Sequence, residues 1–201
     1  PNAASSSSSD CIDVSAGHYT SSAGSGSQTA CAAGTYQPST GQTSCTDADA
    51  GYYVPVISSS SVDALSTNLL HTCAITDDGL MYCWGYNGEG QLGDGTTTDR
   101  HTPVAVNLPV GRTATSLSAG SYHTCAIMDD DSLYCWGQNS DGQLGDGTTT
   151  RSITPVAVNL PSGRTASSVS AGDRWTCAIL DDGSAYCWGS NLYGRLGDGT
   201  T

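Results

Sequence analysis

From residue 62 onward the chain repeats itself every 52 residues, and this periodicity limits its fold more than any other feature. The copies are HTCAITDDGLMYCWGYNGEGQLGDGTTT (71–98), HTCAIMDDDSLYCWGQNSDGQLGDGTTT (123–150) and WTCAILDDGSAYCWGSNLYGRLGDGTT (175–201). Between them stand TPVAVNLPVGRTATSLSAG (102–120) and TPVAVNLPSGRTASSVSAG (154–172). About two and a half repeats are present, and the chain stops where the next TPVAVNLP is due.

Each repeat contains a hairpin. Thr76-Asp77-Asp78-Gly79 reads as a type I turn closed by a left-handed Gly79, which centres the pairing on Asp78. That register sets Cys73 opposite Cys83, and by the same spacing Cys125 opposite Cys135 and Cys177 opposite Cys187. Opposed Cβ atoms lie roughly 4.5–5.5 Å apart, close to what a disulfide needs. The C-x9-C spacing does not suit zinc, whose structural sites use short knuckles. Asp131 replaces the turn glycine in the second copy, at a position where Asp is tolerated at some cost. A loop W-G-x-N-x-x-G-x-L-G-D-G follows each hairpin. Its Asn87, Asn139 and Asn191 suit turn capping by the side-chain amide, and Leu92, Leu144 and Leu196 suit burial. Asn68, Gly120 and Gly172 share one repeat position, and an Asn–Gly exchange there predicts a left-handed backbone. The hairpin gives two strands, Pro103–Val106 a third and the stretch around Ser116–Ala119 a fourth. Four short strands per repeat make an all-β chain of propeller-type blades, each of which needs neighbours to bury its faces.

Composition agrees. Ser, Thr and Gly dominate, the acidic residues are Asp apart from Glu89, and the six basic residues are all Arg. A net charge of −13 leaves nothing to neutralise a row of phosphates or an anionic membrane. No apolar run approaches the roughly 20 residues of a membrane span. Nine cysteines in 201 residues, spaced for disulfides, point to an oxidising compartment and hence to secretion or the cell surface. Pro1 at the start, without a signal-peptide core, reads as a leader already removed or as a piece of a longer chain.

A shorter period of 17 marks the N-terminal part: Val14-Ser-Ala-Gly17-His-Tyr19, Cys31-Ala-Ala-Gly34-Thr-Tyr36 and Ala48-Asp-Ala-Gly51-Tyr-Tyr53. Cys11, Gln28 and Cys45 stand three residues before these units, so the template is C-x-x-C-x-A-G-x-Y with one cysteine missing from each pair. The organisation is therefore a Ser-rich lead-in (1–10), a cysteine-rich module (11–57), a serine linker (58–61) and propeller-type repeats (62–201).

The G-x-N-x-x-G-Q-L-G-x-G loop, the P-V-x-V that follows and the S-A-G-x-x-H-T before the hairpin resemble the repeats of the regulator-of-chromosome-condensation family. The resemblance covers residues 62–201 and implies a seven-bladed β-propeller. The hairpin cysteines and the Lys-free, acidic composition depart from nuclear members, which removes the basis for histone–DNA contact or nucleotide exchange on a nuclear GTPase. Residues 11–54 resemble the cysteine-rich modules of ephrin-receptor-like and tumour-necrosis-factor-receptor-like ectodomains. That resemblance implies a Cys31–Cys45 bridge. It leaves Cys11 without a partner in this chain, unpaired or bonded to another molecule.

No set of residues reads as catalytic, metal-binding or cofactor-binding. His18, His71, His101 and His123 are scattered, and Trp175 stands where His71 and His123 recur, so that position serves packing or a hydrogen bond. The Asp pairs of the hairpins and Asp94, Asp146 and Asp198 read as turn formers before calcium ligands. Trp84, Trp136 and Trp188 read as blade core before a sugar platform. None of the seven Asn lies in an N-x-[ST] sequon, while the serine tracts offer O-glycan sites. The function expected is a non-catalytic structural or interaction module of a larger secreted or cell-surface protein, including the repeating subunit of an extracellular fibre. The alternative is a propeller that binds a protein or glycan through its loops. The partners expected are further copies, neighbouring domains, or a protein or glycan ligand, without nucleic acid or membrane insertion. At about 0.15 M salt, where exposed charges are screened beyond about 8 Å, the chain is expected to pass unretained over immobilised DNA and anionic vesicles. Retention at micromolar concentration would contradict this.

Overall fold

The computed structural model describes residues 61–201 and, before them, the backbone of four two-residue strands. The chain divides into two compact units, 1–60 and 61–201. In the first, β1 (His18–Tyr19) pairs antiparallel with β2 (Thr29–Ala30), and β3 (Thr35–Tyr36) with β4 (Thr46–Asp47). The second ladder repeats the first 17 residues later, with His18↔Ala30 matched by Thr35↔Asp47. Cys11, Cys31 and Cys45 lie outside the described residues.

The second unit is a row of antiparallel sheets. The first blade runs β5 (Val62–Thr67), β6 (His71–Thr76), β7 (Met81–Gly85), β8 (Arg100–Ala105) in spatial as in chain order. The second runs β9 (Ala114–Ala119), β10 (His123–Met128), β11 (Leu133–Gly137), β12 (Ser152–Ala157). The third contains β13 (Ala166–Ala171), β14 (Trp175–Leu180) and β15 (Ala185–Gly189), followed by a 3-10 turn at Leu192–Gly194. The fourth strand of the first blade begins at Arg100, three residues ahead of the expected Pro103. The proline is accommodated because β8 is an edge, bonded only to β7.

Hairpin chemistry explains the disulfides. Thr76 N donates to Leu80 O at 2.9 Å around a turn with Gly79 at φ 75°. Asp131 takes the same left-handed place at φ 61°. Residues 76 and 80 are thus a hydrogen-bonded pair, and alternation along the ladder makes Cys73 and Cys83 a closer, non-bonded pair. Their Cα atoms lie 4.1 Å apart and the sulfurs are bonded. Cys125–Cys135 and Cys177–Cys187 repeat this at 4.0 and 4.1 Å.

Strand alternation sorts the residues between two seams. Cys73, Ile75, Met81 and Cys83 of the first blade, with Leu92 and Val106, pack against Ala114, Ala126, Met128 and Trp136 of the second. One repeat on, Cys125, Ile127, Leu133, Cys135 and Leu144 pack against Ala166, Ala178 and Leu180. Each disulfide therefore lies on the forward face of its blade. Asn68, Gly120 and Gly172 do not mark a left-handed backbone, because none has positive φ. Space is the reason for glycine here: a Cβ on Gly120 would stand 2.5 Å from the Gly172 carbonyl oxygen and 2.6 Å from the His123 ring. Asn68 has room for its side chain and donates from Nδ2 to the Ala119 carbonyl at 3.0 Å.

Gly93 and Gly197 share one repeat position and nearly one conformation, at φ 71° and 72°. A Cβ on Gly93 would meet Trp136 Nε1 at 2.6 Å, whereas one on Gly197 would meet nothing within 4 Å. Gly197→Ala is expected to cost about 1–2 kcal/mol of backbone strain. Gly93→Ala should cost that plus about 1–3 kcal/mol for overpacking the seam. Urea unfolding of both variants measures the difference, and equal losses would remove Gly93 from the seam.

Candidate functional site

The most ordered polar feature is a hydrogen-bond chain across each seam. His71 Nε2 lies 2.7 Å from Thr124 Oγ1 of the next blade, and that hydroxyl donates to the Gln91 carbonyl at 2.8 Å. Trp136 Nε1 donates to the same carbonyl at 2.9 Å. The second seam repeats the pattern: His123 to Thr176 at 2.8 Å, then Thr176 and Trp188 onto the Gln143 carbonyl at 2.8 and 2.9 Å. Since each threonine spends its proton on the glutamine carbonyl, the histidine must donate from Nε2, which fixes that tautomer. Nδ1 of both rings then has no partner among the described residues. Burial pushes His71 down to about 4. Burial, with some repulsion from His71, pushes His123 down to about 3.

Behind the seam the loop is wired by its asparagine. Asn87 Oδ1 accepts the Leu92 N–H at 3.0 Å, and Nδ2 reaches Asp94 Oδ1 and the carbonyls of Thr96 and Thr98. Leu92 and Leu144 are fully buried. Burial alone would raise the Asp94 carboxyl, but hydrogen bonds from Thr96, Arg100 and Asn87 outweigh it and hold the pKa below the ordinary value. Asp146 is held down in the same way by Thr148 and Asn139. These aspartates are committed to turns. Among the described residues no group of three or more His, Cys, Asp or Glu could hold a metal ion.

The candidate residues do not converge on a reaction centre. His71 and His123 are buried in separate seams, His101 is exposed on β8, and nothing is described of the His18 side chain. Trp136 is fully buried and Trp188 half-buried, each tied to the preceding blade.

The two ends of the blades differ. At the hairpin end the copies are nearly constant: Asp77-Asp78-Gly79, Asp129-Asp130-Asp131 and Asp181-Asp182-Gly183. There Arg112 bridges Asp129 and Asp130, and Arg164 bridges Asp181 and Asp182. At the opposite, loop end the copies diverge. The inner turns read Asn68-Leu69-Leu70, Gly120-Ser121-Tyr122 and Gly172-Asp173-Arg174, and the loops carry Gly88-Glu89, Ser140-Asp141 and Leu192-Tyr193. Sequence reading alone missed Thr124, Thr176, Gln91 and Gln143. The signal for them was a Thr directly before the first hairpin cysteine of every copy, preceded by His in the first two and by Trp175 in the third, with Gln in the first two loops and Arg195 in the third.

Acid should open these seams before it reaches the carboxylates. A histidine whose native pKa lies below its unfolded value of about 6.5 leaves the unfolded chain binding more protons between the two values. Stability is then complete above pH 6.5 and declines as pH falls toward 4 and 3. Each histidine contributes a slope of up to about 1.4 kcal/mol per pH unit in that window. Urea unfolding between pH 7.5 and 4 measures it, and a flat profile down to pH 4.5 would contradict the buried neutral rings.

Two profiles of the Regulator of chromosome condensation (RCC1) repeat match the chain, one at residues 78–127 and 130–179, the other at 62–91, 114–143 and 166–195. The longer match begins in one hairpin and ends in the central strand of the next blade, so each repeat straddles a seam. The ultraviolet-B receptor UVR8 of Arabidopsis thaliana is 36% identical over 129 residues, 64% of this chain and 29% of that protein. The chain thus spans less than a third of the length of this relative. Human WBSCR16 superposes with a TM-score of 0.65 at 19% identity, covering 82% of this chain and 41% of that one. Yeast RCC1 (Prp20), solved bound to Kap60, superposes with a TM-score of 0.59 at 21% identity, covering 77% of this chain and 33% of that one. Taken together the profile matches run unbroken from residue 62 to 195, and the chain belongs to the regulator of chromosome condensation repeat family.

Proposed function

We propose that the chain is a non-catalytic interaction module of a secreted or cell-surface protein, and that it binds a protein ligand through the loop end of its blades. One observation carries the reading: the first two copies share their seam residues and all three keep the hairpin end nearly constant, yet they diverge at the inner turns and loops of the other end. Repeat scaffolds are stabilised by contacts between neighbours, so residues outside those contacts are free to specialise. Leu69, Tyr86, Leu192 and Tyr193 there are 76%, 39%, 57% and 86% exposed, a supply of apolar and aromatic surface that seam packing does not use. That yeast RCC1 was solved as a complex with another protein supports a protein as the class of ligand. Three bonded cysteine pairs inside the sheets support an oxidising compartment.

Photo-crosslinking tests the reading. A benzophenone amino acid replaces Tyr122 or Tyr193 at the loop end, or Leu80 or Ser132 at the hairpin end, and the protein is irradiated in its native setting. Adducts with another protein are expected from the loop-end positions and not from the hairpin end. Adducts of equal yield from both ends, or from the hairpin end alone, would overturn the assignment, and adducts between copies of this chain would make self-association the function.

A further inference from the structure

The chain has no lysine, and its six arginines all lie in the repeats, so a peptidase that requires a basic residue has six bonds to choose from. Arg112 and Arg164 share one repeat position, at the end of the linker that leads from the last strand of one blade to the first strand of the next. Each closes a tight turn. Arg112 N donates to the Pro109 carbonyl at 3.1 Å and Arg164 N to that of Pro161 at 3.0 Å, with Gly111 and Gly163 both at φ 76°. The turns stand clear of the blades: a Cβ added to either glycine would meet nothing within 4 Å, and Val110 is fully exposed. The same geometry occurs at both linkers of the second blade, whose two faces are covered by its neighbours.

The other four bonds are held. Arg100 pairs with Gly85 in the ladder of β7 and β8, and Ser152, which follows Arg151, pairs with Gly137 in that of β11 and β12. The Arg174 carbonyl accepts the Ser190 N–H at 2.9 Å, and Trp175 after it opens the central strand β14. Leu196 N, after Arg195, donates to Asn191 Oδ1 at 3.0 Å. By contrast, among the described residues no hydrogen bond reaches the carbonyl of Arg112 or Arg164. The N–H groups that follow make only long bonds, Thr113 N to Asp129 Oδ1 and Thr165 N to Asp181 Oδ1, both at 3.3 Å. The two guanidinium groups sit in exposed ion pairs with the hairpin aspartates. Such pairs are weak and yield readily to the carboxylate of a specificity pocket, the means by which trypsin-like enzymes read arginine.

We propose that the linkers are processing joints, cut after Arg112 and Arg164 by a trypsin-like serine endopeptidase, and that the blades stay docked after the cut. The C–N bond between Arg112 and Thr113 breaks, one water is consumed, and Arg112 leaves as a carboxylate and Thr113 as an ammonium. An α-amino group is charged at neutral pH, so each cut replaces a long amide hydrogen bond to Asp129 by an ion pair, and Thr165 with Asp181 repeats this. No sheet loses a strand, because 113–164 holds the whole of β9 to β12 and the Cys125–Cys135 bridge. The three described disulfides each lie inside one blade and leave the linkers as the covalent crossings of the seams. The bonds of Thr124 and Trp136 to the Gln91 carbonyl, and of Ala114 N to the Gly79 carbonyl at 2.9 Å, do not depend on that crossing.

The test is limited trypsin digestion of the full oxidised chain at neutral pH, with the cut bonds identified by mass. Cleavage of a folded chain tracks how often each bond opens, so Arg112–Thr113 and Arg164–Thr165 are expected to be cut about tenfold or more faster than the other four. Most of that preference should disappear when the chain is reduced and unfolded. The fragments should elute together on gel filtration and part in urea, and Arg112→Gln with Arg164→Gln should leave the folded chain uncut over the same period. First cuts at other arginines, or resistance of all six bonds under conditions that digest the unfolded chain, would overturn the site. A preference that survives unfolding would assign it to local sequence and overturn the structural argument. Fragments that separate without urea would overturn the continued docking of the blades.

Discussion

The backbone carbonyl of one loop glutamine holds each seam together. Gln91 O receives both the Thr124 hydroxyl and the Trp136 indole, and Gln143 O receives Thr176 and Trp188. Two donors from the next blade meeting on one acceptor fix the distance and rotation between blades. Apolar packing alone is non-directional and would not. The rest of the repeat serves that carbonyl. Asn87 and Asn139 fold the loop by bonding the N–H of Leu92 and Leu144, which follow the glutamines directly. Gly93 clears space for the Trp136 ring, and His71 holds the threonine hydroxyl from its other side.

This arrangement also explains where the disulfides lie. A four-stranded blade of five- and six-residue strands buries little surface by itself. Cys73–Cys83 and Cys125–Cys135 are fully buried on forward faces, where they are both cross-link and core. A loop closed over ten residues removes about 3 kcal/mol of freedom from the unfolded chain. In the third blade Cys177 and Cys187 are only half-buried, and Ile179 beside them is 47% exposed, because no described residue covers that face. The hairpin end is then left to soluble aspartates held by Arg112 and Arg164, surface pairs that contribute little to stability.

Much of this was legible in the sequence because it depends on local rules. The pairing of Cys73 with Cys83 follows from turn chemistry centred on Asp78, and the capping by Asn87 from a side chain that reaches its own loop. What stayed hidden was set by contacts 33 to 53 residues apart, such as Gln91 with Thr124 and His71 with Thr124. Gly120 illustrates the limit. The Asn–Gly exchange at its position suggested handedness, but the carbonyl of Gly172 that excludes a Cβ belongs to a different blade. A glycine needed for space and one needed for positive φ look alike in a sequence, and only the neighbours tell them apart. Arg195 is a similar case: its departure from glutamine was visible, while its place on the Trp175 ring was not.

The first two seams share one further property. Their forward faces present the same His, Gln carbonyl and disulfide, and the backward faces they meet present the same Thr, Trp and Ala. By contact chemistry alone a forward face would accept any backward face, so blade order inside the chain is set by covalent connection, the repeat crossing each seam. Specific order between otherwise alike faces requires at least one of them to differ. The third blade departs from this pattern: Trp175 stands in place of the histidine that donates to a threonine, and the Arg195 guanidinium in place of an amide, 4.5 Å over the Trp175 ring. Discrimination between faces comes from what a wrong pairing leaves unsatisfied as much as from what the right one adds.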